Sequence, residues 1–456
     1  MRSIEDLRAK IAGNLLVPGA DGYDRVRRGG GSTAVNNRRP AIIVQAKTED
    51  DVARAIEFAR SQDIDLSVRS GGHDMLGAST TATGLLLDLS LMDQLNLDAS
   101  TGVGRVAGGA RSGVLFNAGA AHGLAPVLGM SANVGVAGLL LGGGIGWISG
   151  RFGAAVDHLI SVDIVTADGR FITANERDNS DLFWAIRGGG GNFGVATAFT
   201  IEMRRLSNVL AGTITYRKAE PTQLMNSLSE ILVESGDPLD VGLDFTLGKD
   251  AAASLTLCWS ADRVAGERVV GRLRQLAPPA RDEVKEQRLA DFVGGETNGQ
   301  TLFLRGGELA SLSQNAIETI ADVIERGGPD GCSIGLLHYM HGALSRVPLD
   351  QTPFIRPDGH ILYNIVASSS GPDADPAGVA WACETWETLR PISSPRTYPN
   401  YLCEENEEAV RAAYGPHYDR LRAIKRCYDP GNIFRHNRNI RPAIRSGAMP
   451  RMSSAI

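Results

Sequence analysis

The stretch best suited to chemistry is Val68-Arg69-Ser70-Gly71-Gly72-His73-Asp74, where an apolar strand pattern, Leu66 to Arg69, runs into two glycines and a histidine. Paired glycines let a backbone turn tightly and approach a ligand closely. Successive N–H groups in such a turn form an anion-binding nest. A histidine just past the turn points at whatever the glycines hold; a surface turn with an ordinary histidine is the alternative for this stretch taken alone. A second stretch, Gly129 to Gly146, consists almost throughout of small residues, among them Gly135, Gly138, Gly143, Gly144 and Gly146. It suits a segment laid against a large flat ligand, or else close helix packing through glycine faces.

Near the C-terminus, Tyr398-Pro399-Asn400-Tyr401 carries two phenols three residues apart. A free phenol has a pKa of about 10, so either would serve as a base only with a lowered pKa or a concerted transfer. In an extended segment the two rings would stand on opposite sides of a sheet, one catalytic and one structural. His338 and His341 flank Tyr339-Met340 on an expected strand. At strand spacing the two histidines point oppositely, which speaks against a metal pair, and His338 shares a face with Met340. His360, Tyr363 and Asn364 are further pocket candidates on the next strand.

The common nucleotide motifs do not explain the glycines. Gly189-x-Gly191-x-x-Gly194 matches the GxGxxG string, but it follows a helix pattern and opens a strand, the reverse of the Rossmann order. Gly144-x-Gly146-x-x-Ser149 fails at its last position. No P-loop, HExxH, GxSxG or EF-hand string occurs.

The elements that must position these residues can be read from periodicity. Helical spacing covers Ser3 to Leu15, and Tyr23 to Asn37 reads as a basic, glycine-rich loop. A β-α-β opening follows: Ala41 to Val44, a helix capped by Thr48 with Asp51 three residues on, then Leu66 to Arg69. Strand runs at Gly84 to Leu89 and Thr101 to Gly108 precede a helix at Ser112 to His122. A hairpin at His158 to Ala174 turns on Asp168-Gly169, and Asp181 to Arg187 is a short helix before a strand at Val195 to Met203. From about Val209 to Arg390 alternating strands and intervening helices predict an antiparallel sheet with helices on one side. The tail returns to motif density with a single helix through Glu408 to Lys425, then Tyr428-Asp429-Pro430-Gly431-Asn432-Ile433-Phe434. Residues beyond Pro442 read as a disordered end.

Composition bounds the partners. The 456 residues, 43% hydrophobic and 21% charged, are those of an ordinary globular chain. A net charge of −6 argues against nucleic acid. The five cysteines are odd in number and lack CxxC spacing, which disfavours a disulfide framework or a zinc site. No apolar tract is long enough to span a membrane and no secretory pattern opens the chain, so a cytoplasmic location is expected.

Four motifs in this order resemble the FAD-linked oxidases of the vanillyl-alcohol-oxidase and berberine-bridge-enzyme superfamily: Val68 to His73, the Val134 to Gly146 tract, Tyr398 to Tyr401, and Tyr428 to Phe434 followed by Asn437 and Ile440. The resemblance implies an α+β, two-domain PCMH-type FAD-binding fold. FAD-binding parts at 1–206 and 395–456 would flank a substrate domain at 207–394, an antiparallel sheet covered by helices. It further implies FAD bound covalently through His73 by an 8α-histidyl bond. The second link of many members, from a cysteine three residues before Val134, is excluded because that position is Ser131. Val134 matches the oxygen-access position. Arg69, Ser70, Gly71 and Gly72, with Asp74 and Gly77 beside them, would hold the pyrophosphate. Gly135, Gly138, Gly143, Gly144 and Gly146 would run beside flavin and adenosine, Val195 would contact adenine, and Asn437 would reach the flavin ring.

Tyr401 first and Tyr398 second are the candidate bases, with His338, Met340 and Tyr363 toward the substrate. The implied reaction is hydride transfer from a C–O or C–N bond of a small molecule to flavin N5, with O2 reduced to hydrogen peroxide by a monomer or homodimer. The front of the chain resembles the hydroxynicotine-oxidase branch and YPNY another, which leaves the substrate open. A flavin-bearing drug-binding protein without turnover and a dehydrogenase with a non-oxygen acceptor are the alternatives.

Overall fold

The computed structural model describes residues 3–28, 38–74, 76–217, 219–294, 301–371, 374–404 and 406–444. The glycine cluster Gly29 to Gly31 and the end of the chain from 445 lie outside the described residues.

The β-α-β opening forms a four-stranded sheet in the order Asn14–Leu16, Ile42–Gln45, Leu85–Asp88, Leu66–Arg69. Its last three strands are parallel. Ile42–Gln45 and Leu85–Asp88 are buried along their whole length, as parallel strands covered on both faces must be. The crossover helix Glu49–Ser61 starts on the expected capping box, in which Thr48 and Asp51 satisfy each other's backbone N–H. The edge strand Leu66–Arg69 therefore delivers Arg69 and the glycine turn to the sheet's end. Beside it lies a five-stranded antiparallel sheet, Leu95–Asp98, Val103–Ala107, Val195–Glu202, Leu159–Val165, Phe171–Asn175.

The middle of the chain builds an antiparallel sheet whose central run is Val209–Tyr216, Ala252–Trp259, Leu239–Thr246, Cys332–Tyr339, Ile361–Ser369, Thr301–Leu309. Helices Pro221–Ser235, Arg263–Leu273, Gln314–Arg326 and Pro376–Leu389 share one hydrophobic cluster with it. The result is the mixed α+β class expected, with helices on one face of this sheet and the other face left for a site. No helix among the described residues is long and apolar enough to cross a membrane.

Four local expectations are corrected. The helix from Ser3 ends at Arg8, because Gly13 must pass so close to Gln45 that a Cβ there would stand 1.9 Å from its carbonyl oxygen, and Asn14–Leu16 pairs as a strand. The loop from Tyr23 opens with a helical turn, Tyr23–Arg27. The tail helix is two helices, Glu407–Tyr414 and Tyr418–Tyr428, broken where Gly415 adopts φ +47° before Pro416. Strand Thr301–Leu309 was not anticipated, since Gly306 and Gly307 interrupt its apolar pattern.

Candidate active site

A cavity of about 480 Å³ lies where the two antiparallel sheets and the C-terminal tail meet the glycine turn. Its floor is the turn itself, Ser70 to Asp74. No described group accepts a hydrogen bond from the N–H of Gly71, Gly72 or His73, which is the property of an anion nest. Gly71 and Gly135 press together there: a Cβ on Gly71 would lie 2.2 Å from the Gly135 nitrogen, and one on Gly135 2.1 Å from the Gly71 nitrogen. Above Gly138 and Gly191, in contrast, a Cβ would meet nothing within 4 Å. These two bare backbones face open cavity.

Of the residues expected to hold the cofactor, the cavity brings together Ser70, Gly71, Gly72, His73, Asp74, Ser131, Val134, Gly135, Gly138, Val195 and Asn437. Five others are placed elsewhere. Arg69 is 3% exposed, ion-paired with Asp88 and donating to the carbonyls of Val26 and Arg27; it ties the strand end to helix Tyr23–Arg27 and holds no phosphate. Gly77 shapes the turn after Asp74, its carbonyl accepting from Arg38. Gly143, Gly144 and Gly146 lie outside the lining and serve packing, against Phe354, Ala155 and the Leu128 carbonyl respectively. The glycines of the tract thus divide: Gly135, Gly138 and Gly142 line the cavity, whereas Gly143, Gly144 and Gly146 pack.

The C-terminal tail closes the cavity. Arg438 pairs with Asp74 and donates to the Leu402 carbonyl at 2.8 Å. Lys425, fully buried, pairs with Asp429 at 2.7 Å and donates to the carbonyls of Asn192 and Phe434. Asp429 in turn accepts from the N–H groups of Ile433 and Phe434 at 2.9 Å. This latch sets Asn437, whose amide donates to the Gly191 carbonyl at 3.2 Å while its Oδ1 is buried without a partner.

The roof comes from the middle sheet and YPNY. Residues Pro399–Tyr401 form a 3₁₀ turn, not an extended segment. At that pitch residues three apart eclipse, so both rings line one cavity, with centroids 5.6 Å apart. The expectation of opposite faces is corrected. The two phenols nevertheless differ. Tyr398 is 3% exposed, and its oxygen accepts from the Gly144 N–H and the Asn400 amide, each at 2.8 Å. Tyr401 Oη lies 3.1 Å from His338 Nε2, with the rings edge to face. Burial pushes the Tyr401 phenol up to about 12 and the His338 imidazole down to about 4.

His338 reaches Tyr401 through a bulge. The pairing register slips between Leu337 and Tyr339, and His338 takes φ +50°, rare for a residue with a side chain. Strict alternation therefore fails. Met340 does not share the cavity with His338 but is fully buried beside Ile145, Phe354 and Leu362. Tyr363 also leaves the substrate set: its ring packs over Gly307 and its hydroxyl meets Ser393 at 2.7 Å. His360 is engaged by Glu308 at 2.6 Å, whereas Asn364 lines the cavity. His341 turns to Asp240, 3.8 Å away, and stacks on Tyr339. No metal-ligating cluster occurs among the described residues. Leu304, Cys403, Tyr414 and Arg438 also line the cavity. Their only signal in the sequence was proximity to motifs already singled out.

Residues 40–175 match the family described as FAD binding domain, and residues 397–441 the family described as berberine and berberine like. Over 95% of this chain and 97% of the relative, the sequence is 30% identical to (R)-6-hydroxynicotine oxidase of Paenarthrobacter nicotinovorans. The chain belongs to the berberine-bridge-enzyme-like FAD-linked oxidoreductases. An FAD-linked oxidoreductase of Bacillus subtilis is 28% identical over 96% of the chain and 99% of its own length. The crystal structure of 6-hydroxy-D-nicotine oxidase from Arthrobacter nicotinovorans superposes with a TM-score of 0.86 at 28% identity, covering 95% of this chain and 98% of that one. Berberine bridge enzyme from Eschscholzia californica shares the fold, with a TM-score of 0.84 at 19% identity over 96% and 99% of the two chains.

As a berberine-bridge-enzyme-like protein the chain is an FAD-dependent oxidoreductase, and the cavity suits that cofactor. It offers an unfilled N–H nest for a pyrophosphate and bare glycines for a flat ring. Buried polar atoms without protein partners line it: Ser70 Oγ, Ser79 Oγ, Tyr414 Oη and Asn437 Oδ1. Buried polar groups in folded proteins are nearly always paired, so this set is complementary to a large polar ligand.

Proposed function

We propose that this protein is an FAD-dependent oxidase, its flavin joined by one covalent bond to His73, that oxidises a C–O or C–N bond of a small alcohol, amine or secondary metabolite. The observation that carries the reading is the convergence of His73, Ser131, Val134 and the Tyr401–His338 pair on one cavity. FAD, when bound, accepts a hydride from the substrate carbon and passes the electron pair to O2, giving hydrogen peroxide.

The turn at Gly71, Gly72 and His73 would hold the pyrophosphate through backbone N–H groups, which explains why its neighbouring arginine can be spent elsewhere. Burial first, then the charge of Arg111, lower the His73 pKa. The neutral imidazole keeps a ring-nitrogen lone pair for the link. Ser131 Oγ accepts from the Asn133 N–H at 3.3 Å and forms no thioether. Cys403 stands across the cavity, but its Sγ engages the Tyr401 carbonyl and burial raises its pKa, away from the reactive thiolate. Val134, half-buried in the lining, keeps a short side chain where a longer one would narrow the way for O2.

Tyr401 is the base. A phenol held near pH 12 does not ionise first, so the transfer is concerted. Tyr401 Oη takes the substrate proton as its own passes to His338 Nε2, which burial keeps neutral and, with the ring proton on Nδ1, ready to accept. The buried imidazolium is disfavoured and releases the proton as product leaves. Tyr398, its oxygen engaged by Gly144 and Asn400, positions the glycine tract.

An absorbance spectrum before and after acid precipitation tests the attachment. Flavin should stay in the pellet for the wild type and leave it in His73→Ala. Flavin freed by acid from the wild type would overturn the link. Peroxide should accompany turnover; a reduced flavin that reoxidises slowly in air would instead mark a dehydrogenase with another acceptor. A flavin spectrum with no turnover of any alcohol or amine would mark a binding protein.

A further inference from the structure

Asn364 lines the cavity and has no part in the chemistry above. It sits on the interior strand Ile361–Ser369, where register places Gly335 opposite it on one side and Gly306 on the other. Directly opposed residues share a face, so no cross-strand side chain on that face competes for the amide. Gly306, on the edge strand, also admits the YPNY turn. A Cβ there would fall 2.9 Å from the Tyr401 carbonyl oxygen, 3.4 Å from Tyr401 Cβ and 3.2 Å from Asn364 Oδ1. One bare position thus seats the Asn364 side chain and Tyr401 beside each other.

We propose that Asn364 is a positioning residue for Tyr401: its amide nitrogen donates to the phenol oxygen, which turns the O–H toward His338 and leaves one lone pair for the substrate proton. The inference deepens the oxidase reading and rests on Tyr401 being the base.

A phenol oxygen has one proton to give and two lone pairs. Its proton has an acceptor in His338 Nε2, 3.1 Å away and kept neutral by burial. A donor on one lone pair stops the hydroxyl from rotating toward it, so the O–H stays on the imidazole. The second lone pair is then the open position. It takes the substrate proton as the phenol's own proton passes to His338. Burial raises the Tyr401 pKa, a hydrogen bond from the Asn364 side chain opposes that rise, and the charge of Asp244 adds to it. The amide therefore stabilises negative charge as it develops on the oxygen, where burial and Asp244 work against it.

The amide is poorly served by its surroundings otherwise. Asn364 is 7% exposed, yet among the described residues its Oδ1 has no hydrogen-bond partner. A half-satisfied buried amide costs stability that an apolar residue of the same shape would not. What Asn364 supplies in return is a donor for Tyr401.

The test reads the phenol without a substrate. In the purified holoprotein 3-fluorotyrosine replaces Tyr401 or, as a control, Tyr398, and fluorine NMR follows its ionisation; the ring fluorine acidifies the phenol and brings its titration within reach. Asn364→Leu should make the probe at Tyr401 at least about tenfold less acidic, as the loss of one charge-assisted hydrogen bond requires. The probe at Tyr398 should stay close to its wild-type acidity, because that oxygen takes its donors from Gly144 and Asn400. Asn364→Asp keeps the shape, removes the donor and adds an acceptor, and should move the probe at Tyr401 in the same direction and at least as far. A probe at Tyr401 that keeps its acidity in these variants, or two probes that shift together, would overturn the assignment. Acid-precipitation colour separates the two claims. A protein without flavin defeats the oxidase reading, whereas a flavin-loaded protein with an unmoved probe defeats only the role of Asn364.

Discussion

The floor and the roof of the cavity are built from different materials. The floor is backbone: the glycine turn, Gly135, Gly138 and Gly191, with side chains such as Arg69 directed away into structure. The roof is side chains, with Tyr401, His338 and Asn364 projecting from a 3₁₀ turn and two strands. A backbone floor fits a ligand that is always the same. A side-chain roof can change its specificity by single substitutions while the sheet beneath stays intact. The contrast teaches that binding the cofactor and choosing the substrate are separable here, and mutations on the two sides should fail in different ways.

The largest effect is expected from Gly135→Val. Two backbones meet at Gly71 with no space for a Cβ, so the variant should lose its flavin altogether and fold poorly, read by flavin absorbance of the purified protein. Flavin retained at wild-type level would break the contrast at its floor. Next comes Tyr401→Phe, which should keep full flavin content and lower the rate of flavin reduction by about 10²–10⁴-fold. Tyr398→Phe should cost less in rate and more in stability, because it frees the Gly144 N–H.

Third is Asp429→Ala, which strands the buried Lys425 cation and should destabilise the fold by about 3–5 kcal/mol in denaturant titration. It should also loosen Asn437 without altering the preference of the roof.

The smallest effect is a gain. Asp244 has a folded pKa near 6 against an ordinary carboxylate value of 3.8. Its protonated form is favoured in the fold, so its contribution is complete below pH 3.8 and is lost as pH rises through 6. Asp244→Asn should therefore be more stable than the wild type by about 1–3 kcal/mol at pH 7.5. The gain should vanish at pH 4, as thermal unfolding at the two pH values would show.

The same contrast governs what the sequence made legible. Glycines in clusters point to backbone approach, and the turn at Gly71-Gly72-His73 was located because only glycine does that work. Helices Pro221–Ser235 and Pro376–Leu389 start on a capping acid followed by proline, a signal carried openly by the residues themselves. The glycine tract misled at Gly143, Gly144 and Gly146, because packing against Phe354 or the Leu128 carbonyl asks for the same residue as packing against a ligand. The roof was harder. The bulge at His338 leaves no local signature, so period-two counting put Met340 beside it. The 3₁₀ turn at Pro399–Tyr401 brought together two rings that an extended chain would have parted. Strand Thr301–Leu309 stayed hidden because Gly306 and Gly307, which make room for Tyr401 and Tyr363, erase the alternation that marks a strand.

The ion pair between Asp74 and Arg438 joins residues 364 positions apart. During synthesis the N-terminal sheets can form early, but the chamber they border stays open until the far end of the chain has been made. Loading of the flavin is thereby timed as a late event in the protein's biogenesis, and a ribosome stalled in the roof sheet would carry a glycine turn with nothing yet to hold its cofactor in.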